Sequence, residues 1–361
     1  METIAFEASG ISVAVDLTVG HIAAMTVEAG GGILQPLHRA PWIDEPQDQV
    51  PPGLPDGVVR LSGDFLCAPF SRSDVEAAPL HGWPANSGWD VVESTPTGDG
   101  WRAHFRLRRK VMGATVEKIL TLRDDHPFLY QEHAFIGGSG AISVAHHTMT
   151  AMADGGCLAF SPKRIAQTPA DPLEPDPTRG NYLYAYPARS ADLSHFPSAD
   201  GGATDLHAYR MDRRHEDFIT LVEADHGGPG WTAAARKAES DLVLVLKNPA
   251  QLPVTMLWVS NGGRDYAPWS GRHRGVLGIE DGRTAIGHAA SIGDNWLKRE
   301  GVPTAFDLGE RVAFRQAIGA VPLEEPVPPD TVTAGAGWLR LAMAGGRIET
   351  IPFDGDFLRM E

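Results

Sequence analysis

Cysteine is nearly missing from this sequence. Cys67 and Cys157 are the two present among 361 residues, and neither belongs to a C-x-x-C pair. That argues against a disulfide framework and a thiolate zinc centre, and it fits a reducing cytoplasm. Long apolar runs are missing too: no segment approaches the roughly 20 apolar residues that a membrane-crossing helix needs. The opening stretch METIAFEASGISVAVDL carries acids and no basic region ahead of an apolar run, so a cytoplasmic chain is expected rather than a secreted one. Positive charge is in deficit, with 31 basic against 46 acidic residues and a formal charge of −15. Such a surface disfavours nucleic acid and anionic membranes as partners. Neither a phosphate-binding G-x-x-x-x-G-K-[ST] loop nor a G-x-G-x-x-G dinucleotide turn is present, which removes the two commonest nucleotide signals.

What remains is dense in turns and short strands. Forty glycines and 28 prolines punctuate the chain, and between them lie alternating or β-branched runs. Examples are ISVAVDL, HIAAMTVE, WRAHFRLRRK, ATVEKILTL, AISVAHHTM, DFITLVEA, DLVLVLK and PVTMLWVS. TLRDDHPFLYQEHAF reads as two strands around an Asp-Asp-His-Pro turn. This density predicts an all-β fold, a large antiparallel β-sandwich or barrel with few short helices. One helix is expected near AASIGDNWLKREG, capped by Ser291 or Asp294 and ending at Gly301. The stretches 40–57 and 166–181, rich in Pro and Asp, are expected as long loops that shape a pocket. No internal repeat or charge block marks a linker, so residues 1–361 are expected as one domain. No heptad or apolar stripe indicates an oligomeric state.

Fourteen histidines direct attention to acid–base chemistry. In GSGAISVAHHTMTAMADGG, His146 and His147 sit in an apolar run whose alternation predicts a strand. Period-2 geometry then sends the two rings to opposite faces. A histidine in such a strand is a catalytic candidate or a satisfied core residue. In GDFLCAPFSRSDVEAAPLHGWPANSGWD, Arg72 precedes His81-Gly82-Trp83, and Gly82 signals tight backbone beside the imidazole. The alternative there is a turn with a surface histidine. VLGIEDG sets Glu280 at the end of an apolar run, where a buried carboxylate must be paired; the other reading is an exposed turn beginning at Glu280 and Asp281. YAPWSGRHRG, with Trp269, Arg272, His273 and Arg274, reads as a solvated loop, the alternative being a polar, aromatic-rimmed loop at a site.

Taken in order, these motifs resemble one family. APF…R…LHGW…W is similar to a P-x-F…HG-F…W pattern, AHHTMT to N-H-T-Y-F-N, and VLGIEDG to a late C-x-E-P strand. FDLGERVAFRQAIGAV resembles the same family's closing strand. The family is the galactose mutarotase-like superfamily, which includes aldose 1-epimerases and hexose-6-phosphate 1-epimerases. The resemblance implies a very large antiparallel sandwich with an open cleft on one face. It implies His147 as general acid and Glu280 as general base, with His81, Arg72 and Asp205 holding the sugar, and it leaves His146 as a structural neighbour of the acid. Trp83, Trp89 and Trp269 offer apolar faces to a sugar ring, although a core role suits Trp89 better.

The reaction explains the residue types. Exchanging the configuration at an anomeric carbon requires ring opening to the aldehyde. A base takes the proton of the anomeric hydroxyl while an acid protonates the ring oxygen, and the pair is expected on opposite sides of the sugar. No metal, nucleotide or electron sink takes part.

Several positions depart from the family pattern. HG continues to Trp83-Pro84-Ala85-Asn86 without the arginine of the phosphorylated-sugar branch, which favours an unphosphorylated sugar or sugar acid. Arg72 stands nine residues before His81 (81 − 72), with no room for a hairpin. Met149-Thr150-Ala151 replaces Y-F-N, and Asp281 replaces the proline after the base. Two other functions fit the same residues: a non-catalytic carbohydrate-binding protein, and a metal-dependent isomerase or lyase with His81, His146 and His147 as ligands. The second is awkward because adjacent strand residues point apart.

Overall fold

The computed structural model describes residues 2–46 and 50–359, and its named strands pair antiparallel throughout. The alternating runs become strands where expected. Ala114–Arg123 buries every second residue, so Ala114, Val116, Leu120 and Leu122 face inward with Lys118 in the same phase. The Asp-Asp-His-Pro turn joins it to Phe128–Ile142.

Two large sheets face each other. One has eleven strands and runs from Thr3–Ala8 through Asp64–Cys67, Val144–Ala151, Val276–Arg283, Val254–Asn261 and His215–Glu223 to Arg189–Ser190. The other has nine, with Gly230–Arg236, Asp241–Lys247, Phe306–Pro322 and Phe128–Ile142 at its centre and Trp89–Thr97 at one edge. Val15, Ile22 and Leu66 of the first pack against Phe105, Leu120 and Leu122 of the second. A third layer, the strands Thr331–Gly335, Trp338–Ala342 and Ile348–Pro352, covers the back of the nine-stranded sheet. This explains why DLVLVLK does not alternate in polarity. Leu242, Leu244 and Leu246 pack under the third layer while Val243 and Val245 face the first sheet, so every residue of the strand is buried.

The interior is not wholly apolar. Behind the centre of the eleven-stranded sheet, Asp64 accepts hydrogen bonds from Thr148 Oγ1 (2.7 Å) and Gln131 Nε2 (3.0 Å). Asp281 accepts from Thr255 Oγ1 (2.8 Å) and Gln316 Nε2 (3.0 Å) and lies 2.9 Å from Lys247 Nζ. These bonds tie the strands bearing Asp64, Thr148 and Asp281 to the facing sheet, and so fix the strands that carry the residues discussed below.

The expected helix splits in two. His288–Ile292 and Trp296–Arg299 are separate, and Asn295 caps the second by accepting from Lys298 N. Ser291 lies inside the first helix and bonds Ala285 and Gly287, while Asp294 pairs with Arg299. Neither serves as the cap. Among the described residues no helix is long and apolar enough to cross a membrane.

Candidate functional site

Strand pairing places the site. Val144–Ala151 lies between Asp64–Cys67 and Val276–Arg283. The register that pairs Ala145 with Gly282 and Thr148 with Ile279 sets His147 opposite Glu280, on the face away from the second sheet. His147 Nε2 is 3.0 Å from Glu280 Oε1, and both side chains are almost fully buried. The acid and base candidates are therefore side by side rather than across a ligand from each other, because neighbouring strands carry them at one level of the sheet. Glu280 Oε2 and His147 Nδ1 have no protein partner. The imidazole stacks on Phe65, its cross-strand neighbour, at 4.4 Å between ring centres.

Alternation separates each doublet. His146 and Asp281 point into the space between the sheets, where His146 lies 5.0 Å from His133 and burial drives its pKa down to about 3. Asp281 is held there by the bonds already described. Glu280 and Asp281 are each 1% exposed and lie mid-strand, so the exposed-turn reading of VLGIEDG does not hold. With His146 on the far face, His81, His146 and His147 cannot share one ion. Among the described residues no group of three or more His, Cys, Asp or Glu is arranged around a metal position.

His81 meets His147 edge-on, with ring centres 5.3 Å apart. It sits on a constrained turn with φ +66°, followed by Gly82 at φ +75°. A Cβ on Gly82 would stand 1.9 Å from the Ala68 carbonyl oxygen. Asn86 locks this loop: its Nδ2 donates to the carbonyls of Leu80 and Gly82 (both 2.7 Å), and its Oδ1 accepts from Gly57 N (2.9 Å). His81 Nδ1 accepts from Ser71 N at 3.4 Å and lies 3.2 Å from Cys67 Sγ. That hydrogen bond assigns the ring proton to Nε2, leaving an N–H for a ligand. Burial, then His147 and His21, push the His81 pKa well below the usual value and keep the ring neutral. Gly82→Ala is expected to cost more than about 1 kcal/mol in stability, because the left-handed backbone and the close carbonyl both oppose a Cβ. Chemical denaturation checks this, and an unchanged midpoint would contradict the geometry.

A cavity of about 190 Å³ opens over His81, His147 and Glu280. Its walls are largely aromatic and aliphatic, with Phe65, Phe70, Phe218, Trp258 and Trp269 prominent. Both stretches contribute, Gly57 from the short helix Asp56–Val59 that, contrary to expectation, ends the stretch 40–57, and Leu173 from the loop within 166–181. Residues 47–49 of the first loop lie outside the described residues.

The cation at the wall is Arg264. Its guanidinium lies 3.4 Å from the centre of the Trp269 ring, and Nη2 donates to Glu216 Oε1. Glu216 also accepts from Trp258 Nε1 (2.5 Å) and Ser260 Oγ (2.9 Å), and Ser260 Oγ lies 2.7 Å from His273 Nδ1. His273 stacks on Trp258 and is 1% exposed, so the loop read as solvated in fact buries His273 and Trp269 against the site.

Four candidates, Arg72, Asp205, Trp83 and Trp89, fall outside the cavity. Ser71, at φ +61°, lines the cavity, whereas Arg72 does not and is exposed beside Asp74. Asp205 is exposed and bonds His207 Nδ1 (2.8 Å). Trp83 packs on the main core under Arg109, 4.7 Å from its ring centre. Trp89 is fully buried in that core and donates to the Pro84 carbonyl. Arg264, Glu216, Phe218 and Trp258 escape the motif reading altogether. Alternation in HEDFITLVE and VTMLWVSN puts Glu216 with Phe218 and Trp258 with Ser260, but strand pairing is needed to bring those faces beside Glu280.

No family profile matches the sequence, and no curated protein matches it. Solved structures do resemble it. An Escherichia coli K12 protein provisionally named an aldose 1-epimerase superposes with a TM-score of 0.57 at 13% identity, over 89% of this chain and 100% of that one. A galactose mutarotase related enzyme from Lactobacillus acidophilus gives 0.56 at 12%, over 90% and 99%. A Salmonella typhimurium protein provisionally named a mutarotase gives 0.53 at 11%, over 89% and 90%. By its paired antiparallel sheets and by these likenesses, the chain has the galactose mutarotase-like fold.

Proposed function

We propose that this protein is an isomerase that interconverts the anomers of an unphosphorylated reducing sugar by acid–base ring opening. The observation that carries this reading is the buried His147–Glu280 contact at the wall of an aromatic cavity. Side-by-side placement suits the reaction, since the anomeric hydroxyl and the ring oxygen are bonded to the same carbon. Glu280, whose side chain lines the cavity, accepts the proton of the anomeric hydroxyl. The bond between C1 and the ring oxygen breaks, and that oxygen takes a proton from the His147 imidazolium. The product is the open-chain aldehyde with neutral His147 and protonated Glu280. After rotation about C1–C2, the hydroxyl adds to either face of the carbonyl. His147 recovers its proton, Glu280 returns the other, and the sugar's composition is unchanged. The neutral His81 donates Nε2–H to a sugar oxygen, and the Trp258 indole, held by Glu216, offers an apolar face.

Two-dimensional exchange NMR on equilibrated aldoses tests this. The protein is expected to raise the α–β exchange rate of at least one aldose well above the buffer rate. Sugar binding without any acceleration across a panel of aldoses would instead make it a carbohydrate-binding protein.

A further inference from the structure

The cavity has few polar groups for the sugar it is proposed to hold, and its charges are already balanced. A buried hydroxyl without a partner is costly, so each one on a bound sugar needs a protein group or water. Glu280 and His147 are committed to the anomeric and ring oxygens. Asn86 lines the cavity but spends its amide on Leu80, Gly82 and Gly57. That leaves His81 Nε2, the Ser71 hydroxyl, the Trp269 indole N–H and Arg264, whose buried Nε has no partner. Against them stand Phe65, Phe70, Leu61, Leu80, Phe218 and Ile286. A fully hydroxylated hexose would press some of its oxygens against these walls.

Charge narrows the class further. Arg264 is neutralised by Glu216, and Glu280 faces the same space. A sugar carboxylate or phosphate would find no uncompensated cation among the described lining residues and would meet a carboxylate.

We infer that the preferred substrate is a neutral, deoxygenated monosaccharide, a 6-deoxyhexose being the simplest case. Its apolar carbon lies against the hydrocarbon wall. The apolar portion must be away from C1, because ring opening requires a free anomeric hydroxyl. This inference rests on the proposed sugar site and deepens it.

Matched pairs test it: 6-deoxygalactose with galactose, 6-deoxyglucose with glucose, 6-deoxymannose with mannose, and galacturonic acid with galactose. Anomer exchange is followed by NMR and dissociation constants by ligand-observed titration. In at least one deoxy pair, kcat/KM is expected to favour the deoxy sugar by about 10- to 100-fold, the range an apolar pocket achieves against an added hydroxyl. Galacturonic acid is expected to be worse than galactose. Parents equal to or better than deoxy sugars in every pair, or galacturonic acid ranking first, would overturn the inference while leaving the isomerase reading intact. If no sugar is accelerated, the isomerase reading fails and binding decides the inference: tighter deoxy sugars support it, and tighter parents or no binding overturn it.

Discussion

Glu280→Gln is expected to slow enzyme-catalysed anomer exchange by about 10²- to 10⁴-fold, the usual contribution of one positioned acid–base group. Glutamine keeps the shape of the side chain and an oxygen for His147, but it cannot take the proton of the anomeric hydroxyl. Folding and sugar affinity should change little. His147 requires more care. Truncation to alanine would leave Glu280 as a buried carboxylate without its partner, and breaking a buried pair in that way typically costs about 3–5 kcal/mol. His147→Gln keeps a polar neighbour for Glu280 while removing the titratable acid. It should lose a similar factor in rate with a melting temperature close to that of the native chain. Exchange rates within tenfold of wild type in both variants would remove the pair from the chemistry.

The second large effect is on stability in mild acid. Burial holds His21 and His146 down at about 3 and His38 at about 4, and it keeps His81, His133 and His273 well below the usual imidazole value. Each ring binds a proton near the ordinary value of 6.5 in the unfolded chain and only at much lower pH when folded. Between those values the unfolded state carries more protons, so stability falls as pH falls. Each fully engaged histidine removes about 1.4 kcal/mol per pH unit, and several act together against a total of about 5–15 kcal/mol. Asp64 works the other way, since burial raises its pKa, but it is one group set against six rings. The melting temperature is expected to drop on the order of 10 °C between about pH 7.5 and 5.5. A flat or rising melting temperature over that interval would mean that these rings are not held neutral.

Local pattern makes much of this protein legible in its sequence. Strand after strand falls where alternation places it, and the opposite facing of His146 and His147 follows from period 2 alone. Motif resemblance singles out His147, Glu280 and His81, which the structure brings to one cavity. What stays hidden depends on long-range pairing and on chain reversals. Arg72 has the expected place before the HG motif, but it is exposed beside Asp74, and its neighbour Ser71 is the residue that lines the cavity. Asp205 lies in a short turn where His207 takes its carboxylate. The wall residues Phe218, Trp258 and Arg264 sit on or just after strands far along the chain from Val144–Ala151. They reach it only through sheet pairing, which no local window of sequence contains.

A crystal structure of the Glu280→Gln variant with a reducing sugar bound puts the proposed chemistry to its hardest test. The anomeric oxygen is expected within about 2.6–3.2 Å of the residue-280 side chain, with the ring oxygen within the same reach of His147 Nε2. A sugar bound elsewhere, or one whose anomeric carbon faces away from both groups, would contradict the assignment of this pair as acid and base.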